Sequence, residues 1–293
     1  MIQFLYDIGL DAFLDTVKLL PFLFLTYLVM EWLEHKTGSR TQALIRKAGK
    51  TGPLFGGLLG VFPQCGFSAA ASNLYSGGLI TAGTLAAVFL STSDEMLPIF
   101  ISEAIPVQTI LCILGLKLLL AVISGFLLDF LYHKLIRKEI RYKNIHTMCE
   151  SEHCKCEEGI WISTIRHTLH IALFIFLISI VLNGLMEWVG EDTLRGLTLN
   201  VPVIGEMIAG IVGMIPNCAA SVFITELYVE GVIGIGPMMS GLLAGAGVGT
   251  LVLCRMNKKH PKQTAGILLF VYLISVFWGV LLETFLPTFA LGS

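Results

Sequence analysis

Charge is what this sequence has least of. Lys, Arg, Asp and Glu make up 14% of 293 residues, whereas 55% are hydrophobic and the mean hydropathy is +0.80. A water-soluble domain of this length has no use for so much apolar sequence, which excludes a soluble enzyme or a nucleic-acid-binding module. No polar segment exceeds about 30 residues, so no folded domain is expected outside the apolar part. Motifs for nucleotide coupling and hydrolysis are missing as well: there is no P-loop, no dinucleotide fingerprint, no His-Glu-x-x-His and no serine nucleophile elbow. The first residues lack a basic segment followed by a short apolar core, so the first apolar stretch reads as a retained span rather than a cleaved signal. Cysteine gives no disulfide framework. Its count is seven, an odd number; Cys65, Cys112, Cys218 and Cys254 lie in or beside apolar segments, and Cys149, Cys154 and Cys156 share one polar loop.

Apolar runs fill the space that charge leaves. Eight are legible, at roughly 8–33, 53–75, 79–101, 107–132, 161–189, 203–229, 232–254 and 264–289. Stretches near this length cross the hydrocarbon core of a bilayer, so the expected class is an all-α polytopic integral membrane protein. The basic residues give its orientation. Five lie in 34–52, six in 133–160 and four in 254–263, which together is 15 of the 19 Lys and Arg. The positive-inside rule puts those three loops in the cytoplasm and both termini outside.

A second pattern runs through the same segments. Residues 57–90 recur at 210–243 without a gap, with eleven identities in 34 positions at an offset of 153. The identities include Gly60/Gly213, Pro63/Pro216, Cys65/Cys218, Ser68/Ser221, Tyr75/Tyr228, Gly78/Gly231 and Gly83/Gly236. Flanking echoes extend the duplication: Met30-Glu31-Trp32 with Met186-Glu187-Trp188, and Leu127-Leu128-Asp129 with Leu281-Leu282-Glu283. The chain therefore divides into a membrane repeat at 1–135, a cytoplasmic linker at 136–160 and a second membrane repeat at 161–293. Corresponding segments run in opposite directions, so the halves are expected to be inverted repeats. Residues 53–101 must pass from inside to outside, and 203–253 the reverse. Each stretch must cross an odd number of times, either as three shortened crossings or as one crossing plus a re-entrant hairpin. This gives about 5+5 passes, with breaks expected at Pro63, Pro98, Pro216 and Pro237.

Four groups of residues carry candidate chemistry. Pro63-Gln64-Cys65 and Pro216-Asn217-Cys218 each combine a helix breaker, an amide oxygen and a soft sulfur ligand; the bland alternative is a packing kink with a buried cysteine acting as a small hydrophobe. Asp94 and Glu95 form an acidic pair in an apolar stretch, suited to a cation or to protons, unless they sit at a membrane surface between two helices. The corresponding stretch Ala244 to Gly249 has no carboxylate. Scattered charges form a third group: Asp11, Asp15 and Lys18 on one helix face, Lys117, Arg166, His167, His170, Glu206 and Glu226, which read mostly as interfacial or paired. The linker holds His146, Cys149, His153, Cys154 and Cys156 among four glutamates, either a flexible metal-collecting segment or a solvated acidic linker; the spacing matches no zinc finger.

With PQCGFS at 63–68, TSDE at 92–95, PNCA at 216–219 and a His/Cys loop between the halves, the chain resembles the bacterial family of ten-helix heavy-metal exporters. Members of that family are labelled arsenic efflux proteins or manganese transporters. More distantly, the paired Pro-x-Cys motifs are similar to those of the organoarsenical permeases. The motif there carries an extra cysteine, where this chain has Gly66 and Phe67. The resemblance implies metal efflux across the bacterial inner membrane, not enzymatic activity. The ligand set expected for the transported ion is Gln64, Cys65, Asp94, Glu95, Asn217 and Cys218, with a weaker loop site at Cys149, His153, Cys154 and Cys156. That mixture of oxygen and sulfur leans toward a divalent ion such as Mn²⁺. The ion is substrate; no permanently bound cofactor is expected. Membrane lipid is the other expected partner, and a homo-oligomer is left open. A permease for trivalent arsenicals using Cys65 and Cys218 is the alternative, and a lipid-acting enzyme built on 91–96 is the remote one.

Overall fold

The computed structural model describes residues 51–62, 65–93, 96–136, 160–189, 202–258 and 260–285, with parts of 9–28. Every regular element among them is an α-helix. Four helical stretches are long and apolar enough to cross a bilayer: Ala82–Ser102, Val107–Lys134, Ile235–Met256 and Pro261–Phe285. Two of these four are broken near their middles. The helices are α1 (Gly52–Gly60), α2 (Cys65–Ser76), α3 (Ala82–Ser91), α4 (Met96–Ser102), α5 (Val107–Ile136), α6 (Ile160–Val189), α7 (Ile204–Gly213), α8 (Cys218–Val229), α9 (Ile235–Ala244), α10 (Val248–Met256) and α11 (Pro261–Phe285).

The duplication legible in the sequence is a duplication of architecture. Helices α2 and α3 begin at 65 and 82, and α8 and α9 begin at 218 and 235, so both offsets are 153. The turn after α2 and the turn after α8 are closed alike. Gly78 and Gly231 both have φ 73°, a conformation that an L side chain enters only with strain. Beyond them the Leu79 amide donates to the Leu74 carbonyl and the Val232 amide to the Leu227 carbonyl, each at 2.9 Å. This is the Schellman ending, which satisfies carbonyls that a helix end leaves open.

Glycines set how closely the helices approach, and they reveal direction. A methyl group on Gly52 would strike Thr84; on Gly56 it would lie 2.8 Å from the Thr84 carbonyl oxygen, and on Gly60 2.6 Å from the Val88 carbonyl oxygen. Moving forward along α1 therefore moves forward along α3, and the two are parallel. Helix α2 starts where α1 ends and finishes where α3 begins, so it runs back against both. Helices α1 and α2 form a half-length hairpin beside the broken rod of α3 and α4. The second half repeats the contact, since a methyl on Gly213 would strike the Gly241 carbonyl. Two half-length helices, α1 and α2, thus precede the broken apolar stretch of α3 and α4.

Two of the four expected proline breaks are corrected. Pro237 is the third residue of α9 and Pro98 the third of α4. In a first turn the missing N–H would have had no partner anyway, so proline there interrupts nothing. The break between α9 and α10 is made by Gly245 to Gly247, where Gly247 has φ 52°. The break between α3 and α4 precedes Pro98, and Pro216 does lie in the break between α7 and α8. Pro63 lies outside the described residues.

The halves interlock. Helix α2 packs on α10, where the Ser72 hydroxyl donates to the Gly249 carbonyl at 2.7 Å. In return α8 packs on α4, with Phe100 and Tyr228 ring centroids 6.2 Å apart. One core cluster runs through both halves, from Phe89, Met96 and Phe100 to Tyr228, Met239 and Leu243, and a second joins Leu23 and Ala69 to Ile171, Val248 and Val252.

Candidate substrate site at the helix breaks

Three helix breaks meet around one small cavity. Thr92, Ser93 and Met96 come from the break between α3 and α4. Gly213, Asn217, Cys218 and Ser221 come from the tip between α7 and α8, and Leu242, Gly245 and Gly247 from the break between α9 and α10. Its volume of about 20 Å³ suits one water or one bare ion. Both halves of the chain contribute lining.

The lining offers lone pairs more than protons. The Thr92 hydroxyl donates to the Val88 carbonyl at 2.7 Å, Ser93 to the Ser91 carbonyl at 3.0 Å and Ser221 to the Cys218 carbonyl at 2.8 Å. A hydroxyl has one proton, so each of these oxygens keeps its lone pairs for an incoming group. Asn217 caps α8: its Oδ1 accepts the Ala219 amide at 3.3 Å, and its backbone is extended. Cys218 follows as the first residue of α8 and adds sulfur to the wall. Hydroxyl and amide oxygens beside sulfur form a set able to hold a cation of intermediate softness.

A lysine stands directly behind this wall. Lys117 of α5 is buried, and its ammonium donates to the Thr92 carbonyl. The sequence showed it as a charge within an apolar run; its contact with Thr92, and so its nearness to the cavity, was not visible there.

Of the expected ligands, Asn217 and Cys218 both line the cavity, and Thr92 and Ser93 of the TSDE motif line it with them. Gln64, Asp94 and Glu95 lie outside the described residues, as does the side chain of Cys65. The loop residues Cys149, His153, Cys154 and Cys156 lie outside them too. Among the described residues no three His, Cys, Asp or Glu side chains come together as a metal cluster. Glu206 is buried, but it works as a helix cap. At the third position of α7 it takes backbone N–H bonds from Val203 and from itself, while its Oε2 has no hydrogen-bond partner. His170 is exposed, with Nδ1 3.0 Å from the Arg166 carbonyl, a local bond within α6.

Residues 3–205 match the protein family described as "Putative, 10TM heavy-metal exporter". No curated protein and no solved structure gave a match.

Proposed function

The chain belongs to the 10TM heavy-metal exporter family, and from that premise we propose that it exports a divalent metal ion, Mn²⁺ foremost, across the bacterial inner membrane. Transport runs by alternating access: the two halves rock about the cavity at the helix breaks, and proton entry through Asp94 or Glu95 drives it. One observation carries the reading. A cavity of ionic size is walled by lone-pair donors from both halves, at the points where the helices are interrupted. Irregular backbone at membrane depth is tolerated where it lines such a cavity, and transporters of duplicated build hold their cargo there.

The inverted arrangement of the halves belongs to the same proposal. The three basic loops give corresponding segments opposite directions. Position-equivalent residues touching one another is what a local two-fold axis requires. Trp278 Nε1 donates to Ser124 Oγ at 2.9 Å, and the two residues are 154 positions apart, as are the starts of α11 and α5. Each half then supplies three full crossings and a half-length hairpin of two helices, five helices in all, to be set beside the ten of the family's description.

The ligands proposed are Gln64, Cys65, Asp94, Glu95, Asn217 and Cys218. The test is the metal content of a deletion strain, measured by elemental analysis with and without the gene and its variants. Export should restore low cellular Mn²⁺, and Asp94→Asn, Cys65→Ala and Cys218→Ala should each lose it. If all three variants restore it as the wild type does, the ligand assignment is wrong. Sulfur in the cavity wall keeps a trivalent arsenical as the second reading. In that case Cys65→Ser and Cys218→Ser abolish arsenite resistance and Asp94→Asn matters little.

A further inference from the structure

Lys117 has a place that the proposed transport cycle does not use. Among the described residues it is the only buried lysine, 1% exposed. It lies ten residues into α5, about 15 Å along the helix axis. Its ammonium bonds the carbonyl of Thr92. Thr92 is the C-cap of α3, the end of a helix where carbonyls without intrahelical partners gather partial negative charge. In a broken span, that carbonyl end is where a coordinated cation sits. Thr92 also lines the cavity with Asn217 and Cys218. The second half has no counterpart: aligning Leu127-Leu128-Asp129 with Leu281-Leu282-Glu283 sets Lys117 against Val271, itself buried. The carbonyl end of α9, at Gly245, is thus left to the cavity, whereas that of α3 is taken by the protein's own cation.

We propose that Lys117 is a tethered monovalent cation that occupies the carbonyl end of α3 and so closes that break to Na⁺ and K⁺. This rests on the cation-transport reading above. A free monovalent ion gains the same attraction from the Thr92 carbonyl as the ammonium does. The ammonium, however, is covalently held beside it and never diffuses away.

The purified protein tests this with Mn²⁺ as probe, at constant ionic strength with choline replaced stepwise by Na⁺. Wild-type binding should be indifferent to the exchange. In Lys117→Met and Lys117→Gln, Na⁺ should weaken Mn²⁺ binding roughly fivefold or more, as for coupled sites, and radioactive Na⁺ should bind the variants but not the wild type. Folded variants as indifferent to Na⁺ as the wild type overturn the proposal, and so does a wild type displaced by Na⁺. If neither neutral variant yields monodisperse protein, the ammonium is only a cap for α3 and the proposal is likewise overturned. A wild type that binds no Mn²⁺ sinks the divalent reading alone; radioactive Na⁺ binding to the variants, and not to the wild type, then decides the role of Lys117.

Discussion

Gly213 has no room for a methyl group. A Cβ there would fall on the carbonyl of Gly241, which is backbone and cannot swing aside. Gly266 of α11 is the opposite case, with nothing within 4 Å of its would-be Cβ. The expected outcome is a matched pair. Gly213→Ala separates α7 from α9 and costs about 1–3 kcal/mol, typical of overpacking. Gly266→Ala leaves stability unchanged or raises it by up to about 1 kcal/mol, because Ala is the better helix former where space is free. Thermal unfolding in detergent, followed by fluorescence or gel filtration, reads both. Equal stability of the two variants would contradict the packing described. In the sequence, Gly56 to Gly60 and Gly241 to Gly249 are glycine-rich within apolar stretches and read as close helix packing, which the contacts of Gly56, Gly60 and Gly241 bear out. The same reading fails at Gly245 and Gly247, which lie in the break between α9 and α10 instead. A helix-packing glycine and a chain-breaking one look alike until φ is known.

Helix ends carry the next lesson. Helix α3 starts at Thr81, whose hydroxyl accepts the Thr84 amide at 3.0 Å, and Asp129 of α5 adds a bond from the Gly83 amide at 2.8 Å. Helix α9 starts at Gly234 with no side chain of its own to cap it, and Glu283 of α11 takes the Gly236 amide at 2.7 Å. A carboxylate from the last helix of each half thus holds the start of that half's broken span. Glu283→Ala should cost about 1–2 kcal/mol, and Asp129→Ala less, because Thr81 still caps α3. A Glu283→Ala protein that melts with the wild type would mean that α9 does not need this bond. In the sequence these two carboxylates stood out only as an echo between the fourth and eighth segments; the tertiary contact gave them a role. The reverse happened with Pro237. Its rigidity suggested a break, but the first turn of a helix accepts proline without loss, and the interruption lies at Gly245 to Gly247 instead.

For the whole molecule, the all-α class and the recurrence of the α2–α3 pattern at α8–α9 were legible because hydropathy and the offset of 153 are properties of the chain alone. The pairing of α1 and α2 as half-length helices was one of two arrangements left open there, because parallel packing of α1 on α3 depends on contacts that composition does not encode. Topology has a direct test. If the halves are inverted, both termini face outward and the segment 137–159 faces the cytoplasm. Alkaline phosphatase fused after Ser293 should then be active and green fluorescent protein dark there; the reverse result would turn the orientation over.

The crossed packing of α2 on α10 and α8 on α4 also has a consequence in time. Ser72 and its partner Gly249 are 177 residues apart. A ribosome adding about 5–20 residues per second takes on the order of 10–35 s to cover that stretch. For that interval the newly made first hairpin has no finished surface to rest on. Its serines and glycines must wait in the bilayer or against the insertion machinery. A nascent chain halted after the first half is therefore a natural target for proteolysis, however well its own helices have formed.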